Sequence, residues 1–128
     1  MRKPLIIGNW KMNTTLADAT VITTSVKNNV ANLDIDVVLC PPFVWLYPMA
    51  EILDPPAGGS PKNLYLGAQN MWFAEKGAMT GEISPTMLKG LVKYVILGHS
   101  ERRSHFQEKD DLINDKIHAA FNFGITPI

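Results

Sequence analysis

Two short stretches of the sequence place polar side chains directly after apolar runs. Residues 94–103, YVILGHSERR, pass from four apolar residues through Gly98 to a histidine, a serine, a glutamate and two arginines. Residues 5–13, LIIGNWKMN, do the same with Asn9 and Lys11. A lysine ammonium is a compact point charge that suits an anion such as phosphate. Both stretches are therefore candidates for strand ends that carry chemistry.

The spacing of Asn9 and Lys11 adds to this prediction. Side chains two residues apart on a strand point to the same face, so an amide and an ammonium would project together. Asn9 can then orient Lys11 or bond a substrate oxygen. Each residue type also has an ordinary structural explanation: a solvated lysine, a hydrogen-bonded histidine at position 99, and a solvated helix start at 100–103. The residue types alone leave both explanations open.

The composition is that of an ordinary soluble globular domain. Of 128 residues, 46% are apolar and 19% are charged, and twelve basic side chains balance twelve acidic ones. No net charge therefore favours nucleic acid or a membrane surface. The single cysteine, Cys40, excludes an internal disulfide, and no run approaches the ~20 apolar residues of a membrane span. We expect a cytoplasmic protein, and the spacing of His105 and His118 predicts no metal site.

The elements that must position these residues follow from the apolar pattern. Runs bounded by glycine or proline predict strands at 5–8, 37–40, 64–68 and 94–97, and the terminal GITPI predicts the start of a fifth. Helices are predicted at 15–30, at 45–53, from Ser84-Pro85 onward, and at about 110–123, with Gly124 as a cap. The expected apolar faces of the first and last helices are Leu16, Ala19, Ile22, Val26 and Val30, and Leu112, Ile113, Ile117, Ala120 and Phe121. Alternating strands and helices indicate a parallel sheet covered by helices, with ligands at the carboxyl ends of the strands.

Several motifs resemble one known family. GNWKMN at 8–13 and VILGHSERR at 95–103 are similar to signatures of the triosephosphate isomerase family. CPPF at 40–43, GAQN at 67–70, EKGAMTGEISP at 75–85 and the terminal GITPI resemble it too, in the family's order along the whole chain. The resemblance implies a (β/α)8 TIM barrel, which takes about 250 residues. Residues 1–128 would be the N-terminal half of that single domain, with four βα units and the start of strand five.

The resemblance also implies a reaction. It is the interconversion of dihydroxyacetone phosphate and D-glyceraldehyde 3-phosphate through an enediolate, in glycolysis and gluconeogenesis, without a cofactor. His99 would be the neutral electrophile, kept uncharged if 100–103 form a helical turn whose positive end meets the ring. Lys11 would hold the anionic substrate and Asn9 would contact it. Ser100 and Glu101 would support the site, and Arg102 and Arg103 would form structural pairs with acidic groups.

The segment 69–83 resembles the loop that family subunits insert into each other, which implies a homodimer. Its expected interface residues are Gln69, Met79, Thr80 and Glu82. The chain departs from the family where Met79 replaces a common aromatic and Gln107 replaces a common glycine. Both departures concern interface detail.

The family's glutamate base, closing lid and later phosphate loops come from the second half of the barrel, and none of those motifs occurs here. We therefore expect this half alone to be inactive. The alternative is a non-catalytic half-barrel fragment or assembly module that pairs through its open edge strands. Another phosphate-handling barrel enzyme is a third possibility, for which the combination of GNWKMN and GHSERR leaves little room.

Overall fold

The computed structural model describes residues 2–128 as one parallel sheet with helices between its strands. The five strands lie in the order in which they occur in the chain: β1 Leu5–Asn9, β2 Asp36–Cys40, β3 Leu64–Ala68, β4 Tyr94–Val95 and β5 Thr126–Pro127. The helices are α1 Leu16–Val30, α2 Leu46–Leu53, α3 Pro85–Leu88, α4 Ser100–His105 and α5 Asp110–Asn122, with a 3-10 turn at Phe43–Trp45. Consecutive strands that pair in parallel require crossover connections, and this topology confirms the predicted first part of a (β/α)8 barrel.

The helix starts follow local capping chemistry. Thr15 caps α1, because its hydroxyl accepts the Asp18 N–H at 3.2 Å while the Asp18 carboxylate accepts the Thr15 N–H at 2.9 Å. Hydrogen bonds from the Thr15 backbone and hydroxyl lower the pKa of the Asp18 carboxyl. Ser84 caps α3 with Pro85 at its first position, as predicted. None of the helices within residues 2–128 is long and apolar enough to cross a membrane.

Both faces of the sheet are apolar, as the strand sequences predict. One face packs against the helices, and its buried side chains come from Val37, Leu39, Leu64, Leu66 and Val95 together with residues of α2 and α5. The other face forms a smaller cluster of Val38, Cys40, Tyr94 and Ile96, flanked by Ile7 and Tyr65. Alternate residues of β2, β3 and β4 thus point to opposite faces, which is the pattern of strands buried on both sides.

The predicted helix faces are wrong in part. In α1 the buried residues are Ala19, Thr23 and Val30, whereas Leu16 is 47% and Ile22 39% exposed. In α5 the buried residues include Lys116, and Phe121 is 64% exposed. These two helices belong to the ends of the sheet order, where β1 and β5 each pair on one side only within residues 2–128. Their outer apolar residues are left partly exposed in the described part of the chain.

Strand β4 is shorter than predicted, because regular pairing covers only Tyr94 and Val95. Single hydrogen bonds continue beyond it: Ile96 N–H donates to Ala68 O at 2.8 Å, and Leu97 N–H donates to Ile128 O at 3.2 Å. The chain then turns at Gly98 and enters α4. The turn places His99 at the carboxyl end of the sheet.

Candidate active site

A cavity of about 240 Å³ lies at the carboxyl ends of the strands. It is lined by the last residue of β1 and by residues that follow β1, β2, β3 and β4: Asn9, Lys11, Met12, Phe43, Gln69, Asn70, His99, Glu101, Arg102 and Phe106. The structure therefore brings together Asn9, Lys11, His99 and Glu101, which the sequence analysis selected. Sequence reasoning missed the apolar lining from Met12, Phe43 and Phe106, because loop residues without periodicity carry no signal of where they point.

A larger groove of about 470 Å³ lies elsewhere, between α2 and the segments that begin β3 and β4. Its lining includes Leu64 at the start of β3 and Lys93 just before β4. These positions mark the amino ends of the strands. Because parallel α/β folds present ligands at the carboxyl ends, the smaller cavity is the better candidate site.

The backbone of Lys11 has a left-handed conformation, with φ of +55°. Two hydrogen bonds hold it: Asn9 Oδ1 accepts the Lys11 N–H at 3.0 Å, and Gln69 Nε2 donates to Lys11 O at 2.8 Å. Gln69 Nε2 also donates to Cys40 O at 2.9 Å, which fixes the amide itself. Strand β1 ends at Asn9, so the alternation assumed for Asn9 and Lys11 does not extend to Lys11. The two residues still line the same cavity, for a different geometric reason.

His99 is the N-cap residue of α4, so the predicted helical turn is confirmed. Its Nδ1 accepts the Glu101 backbone N–H at 3.1 Å. A nitrogen that accepts from a backbone N–H carries no proton, so this bond assigns the neutral ring's proton to Nε2. The Glu101 carboxylate lies 3.7 Å from the same Nδ1, which is too far for a hydrogen bond. This bond fixes the orientation of the His99 ring, which in its neutral form donates through Nε2.

Glu101 and Lys11 form a close pair in this cavity. Lys11 Nζ donates to Glu101 Oε1 at 2.6 Å, and the two side chains are about half exposed. The hydrogen bond from Lys11 is the main cause that lowers the pKa of the Glu101 carboxyl. Glu101 is therefore ionised at neutral pH and is a weak proton acceptor, which suits the orientation of Lys11 better than general-base chemistry.

Behind the cavity lies a buried ionic network, in which Arg102 pairs with an acidic group as predicted and Lys116 joins the pair, which the sequence analysis did not anticipate. Lys116 and Glu108 have side chains only 1% and 2% exposed, and Lys116 Nζ lies 3.1 Å from Glu108 Oε1. Arg102 Nε donates to Glu108 Oε2 at 2.7 Å, and Lys116 Nζ donates to Asn70 Oδ1 at 3.0 Å. The network joins α4, α5 and the chain after β3. Its sequence signal was weak, because a lysine on an otherwise apolar helix face is usually solvated.

The remaining predicted residues have mixed positions. Ser100 is exposed at the first position of α4, and within residues 2–128 no hydrogen bond joins its hydroxyl to His99. Thr80 is exposed and Met79 is 45% exposed on the segment 69–83, and Glu82 is half-buried. Gln69 instead bonds the backbone of its own chain. The predicted roles of these residues at a subunit interface stay predictions.

Comparisons with known proteins agree with the motifs. A sequence profile of the family described as Triosephosphate isomerase matches residues 4–128. Proteins named triosephosphate isomerase from Carboxydothermus hydrogenoformans and Dehalococcoides mccartyi strain CBDB1 are 52% and 49% identical over 130 and 129 aligned residues. One from Clostridium tetani is 45% identical. The alignments cover 100% of this chain and 48–49% of these relatives, so the chain spans about half their length.

Proposed function

Because the chain belongs to the triosephosphate isomerase family, we propose that it supplies the first half of an isomerase barrel. The proposed reaction interconverts dihydroxyacetone phosphate and D-glyceraldehyde 3-phosphate through an enediolate. The observation that carries this proposal is the common cavity of Asn9, Lys11 and His99, with the His99 ring held so that Nε2 carries the proton. This arrangement offers one cation and one neutral donor to an anionic carbonyl compound.

His99 acts on the carbonyl oxygen of the substrate. As a base removes a proton from the neighbouring carbon, negative charge develops on that oxygen, and the Nε2–H donates a hydrogen bond to it. A donor fixed before the reaction stabilises this charge without reorganisation. The Glu101 N–H holds the His99 ring in place by donating a hydrogen bond to Nδ1 at 3.1 Å.

Lys11 supplies the positive charge for the phosphate dianion and the developing enediolate. Its ammonium is already oriented by Glu101 at 2.6 Å, and its backbone is fixed by Asn9 and Gln69. Orienting the ammonium before the substrate arrives reduces the conformational entropy lost on binding. The side-chain nitrogen of Asn9 is the group that we assign to a substrate oxygen.

We place the general base outside residues 1–128. Glu101 is the one carboxylate that lines the cavity in the described residues, and its hydrogen bond to Lys11 lowers its pKa. An efficient base at neutral pH needs a pKa near 7, so the shift has the wrong sign. This half alone is then inactive, and the second half of the barrel provides the base, the lid and further phosphate contacts.

We further propose that the complete protein is a cytoplasmic homodimer that acts in glycolysis and gluconeogenesis, without cofactor, nucleic acid or membrane as partner. The exposed tip of the segment 69–83, residues 75–81, supports the subunit contact, with Met79, Thr80, Glu82 and Gln69 proposed at the interface. The triose phosphate is the one small-molecule partner that the site chemistry requires.

The second candidate function is a non-catalytic half-barrel module. The exposure of Leu5 at 41% and Ile6 at 55% on β1 favours it, because an open strand edge can recruit another chain. Gel filtration of residues 1–128 separates the two proposals. A discrete folded dimer supports the module, and a soluble folded monomer or an aggregate speaks against it.

The test of the isomerase proposal uses a completed barrel in a coupled assay. Lys11→Met keeps the stem and removes the charge, so we expect a higher KM and a lower kcat. His99→Gln removes the fixed ring donor and should lower kcat on the order of 10²-fold. Lys62→Met and His118→Gln change exposed residues outside the cavity and serve as matched controls. Equal kinetics for Lys11→Met and Lys62→Met would reduce Lys11 to a surface residue.

A further inference from the structure

Arg103 lies on α4, four residues after His99, and has no part in the reaction proposed above. Its guanidinium bridges two partners: Nε donates to Gly98 O at 3.0 Å, and Nη1 donates to Asp110 Oδ1 at 2.6 Å. Gly98 directly precedes His99, and Asp110 is the first residue of α5. The arginine thus connects the backbone at His99 to the start of the following helix.

Gly98 is the residue at which the chain turns from β4 into α4. Its φ is +66°, and a Cβ atom there would lie 2.9–3.3 Å from side-chain atoms of Ile113. Its carbonyl oxygen belongs to the planar peptide group that links Gly98 to His99. A hydrogen bond to this oxygen therefore restrains the plane from which the His99 side chain departs.

Two bonds then define where the imidazole lies. The Glu101 N–H fixes the ring through Nδ1, at 3.1 Å, and Arg103 fixes the preceding peptide group. We propose that Arg103 is a positioning residue for His99, which aims the Nε2–H into the cavity by holding the Gly98 carbonyl. The expected change in kcat rests on the proposed function, but the orientation of the His99 ring can be measured without any isomerase activity.

The exposure of the Arg103–Asp110 pair separates positioning from stability. The two side chains are 46% and 89% exposed. Exposed ion pairs contribute little to the free energy of unfolding, so the loss of this pair should hardly change global stability. A displacement of a reacting group by 1 Å, in contrast, can lower a rate by about 10²-fold. The loss of Arg103 should therefore affect His99 more than it affects folding.

The experiment compares four variants of the protein expressed from its complete gene. Arg103→Met removes both donors and should lower kcat roughly tenfold at unchanged KM, by misplacing the donor. The ¹⁵N signals of the His99 ring should change from those of a fixed Nε2–H tautomer to an averaged pattern. Arg103→Lys, which lacks the two forked donors, should show both effects. Asp110→Asn should show a smaller effect in the same direction, and Asp111→Asn, on the same helical turn without a contact to Arg103, should show none.

The outcomes distinguish a positioning role of Arg103 from a role in stability alone. Changed His99 ring signals in Arg103→Met, with intact signals in Asp111→Asn, support the positioning role. Wild-type ring signals in Arg103→Met overturn it, whatever the unfolding temperature does. If Arg103→Met does not fold, Arg103→Lys decides by the same signals. A parent protein without isomerase activity refutes the proposed function, while the ring signals still decide the role of Arg103.

Discussion

At the residue scale, the loop between β1 and α1 contains two left-handed residues with side chains, Lys11 at φ +55° and Thr14 at φ +84°. The Lys11 N–H donates to Asn9 and the Lys11 carbonyl accepts from Gln69, and these bonds hold the conformation of a residue that lines the cavity. Thr14 has no such support, because its Oγ1 is buried without a hydrogen-bond partner in the part of the chain described here. Such backbone conformations cost about 1–3 kcal/mol, and of these two residues Lys11 has hydrogen bonds that offset the cost, whereas the Thr14 hydroxyl adds an unsatisfied group.

Thr14→Gly should therefore stabilise the protein. Glycine adopts this φ without steric cost and leaves no buried hydroxyl, and the greater freedom of the unfolded chain offsets only part of the gain. We expect the free energy of unfolding to rise by about 1 kcal/mol, measured by chemical denaturation. Thr15→Ala is the matched neighbour, and loss of the α1 cap should lower the same quantity by about 1 kcal/mol. A less stable Thr14→Gly protein would show that the strain is not present in solution.

At the element scale, β2 and β3 approach each other closely on the face opposite the helices. A Cβ atom on Gly67 would lie 2.6 Å from Cys40 Sγ and 3.0 Å from Val38 Cγ1. Burial raises the pKa of the Cys40 thiol to about 12, so the sulfur is an uncharged packing atom. Gly67 on β3 thus leaves room for the side chain of Cys40 on the neighbouring strand β2.

Gly67→Ala should lower the free energy of unfolding by about 1–3 kcal/mol, because the added methyl group overpacks the pair. Cys40→Ala in the same chain removes the sulfur and should restore more than half of that loss. Gly8→Ala is a control on β1, where the nearest atom would lie at 3.7 Å, and should change stability little. Additive effects of Gly67→Ala and Cys40→Ala in thermal unfolding would contradict the predicted contact.

The ionic network between α4, α5 and the segment after β3 makes stability depend on pH. Burial opposes ionisation of Glu108, but the hydrogen bond from Arg102 and the ammonium of Lys116 outweigh it and lower the pKa of the carboxyl below its ordinary 4.5. Burial also lowers the pKa of Lys116, which its contact with Glu108 offsets only in part. A carboxyl whose pKa is lower in the folded than in the unfolded state stabilises the fold at pH values above its ordinary pKa. This stabilisation is lost as the pH falls through the pKa of the folded state.

Glu108→Gln should lower the free energy of unfolding by about 3–5 kcal/mol at neutral pH, because it leaves the Lys116 ammonium buried without a counter-charge. Lys116→Met should lower the free energy of unfolding by less, since Glu108 keeps Arg102 as its partner. The stability difference between wild type and Glu108→Gln should shrink as pH falls below 4.5 towards the folded pKa. Denaturant midpoints across this range test the prediction, and a difference independent of pH would show that Glu108 is not ionised in the fold.

The same elements show what a sequence can reveal. Strand and helix positions followed from apolar runs, from the Ser84 cap and from bounding glycines, because these signals are local. The burial of Lys116 and Thr23 did not, since each depends on a neighbour far away in the chain. The convergence of Asn9, Lys11 and His99 followed from their positions after strands, whereas the bonds of Gln69 to the Lys11 loop depend on three-dimensional geometry.

At the scale of the whole molecule, the described sheet ends in two open strands. Exposed apolar side chains gather near them, with Leu5 and Ile6 on β1, Phe121 on α5, and Ile128 after β5. These residues expose surface that a closed barrel would bury against further strands and helices. We infer that they form the contact surface for the second half of the barrel, which the proposed function also requires as the source of its base.

The last prediction tests this surface and the source of the base together. Residues 1–128 expressed alone should show no isomerisation above background in a coupled assay, because Glu101 is held by Lys11 and both side chains are about half exposed to water. We expect activity when the chain is co-expressed with the complementary half of the Carboxydothermus hydrogenoformans relative, which is 52% identical over the matched half.

Two variants of the 1–128 partner control this experiment. Lys11→Met should remove the restored activity, since the ammonium is the only cation that we assign to the phosphate in this half. Lys62→Met, an exposed lysine outside the cavity, should leave it intact. Comigration of both halves in gel filtration shows whether assembly accompanies the gain. Isomerisation by residues 1–128 alone would place the base within them, and because Glu101 is the cavity's carboxylate among residues 2–128, the assignment of its role would then be wrong.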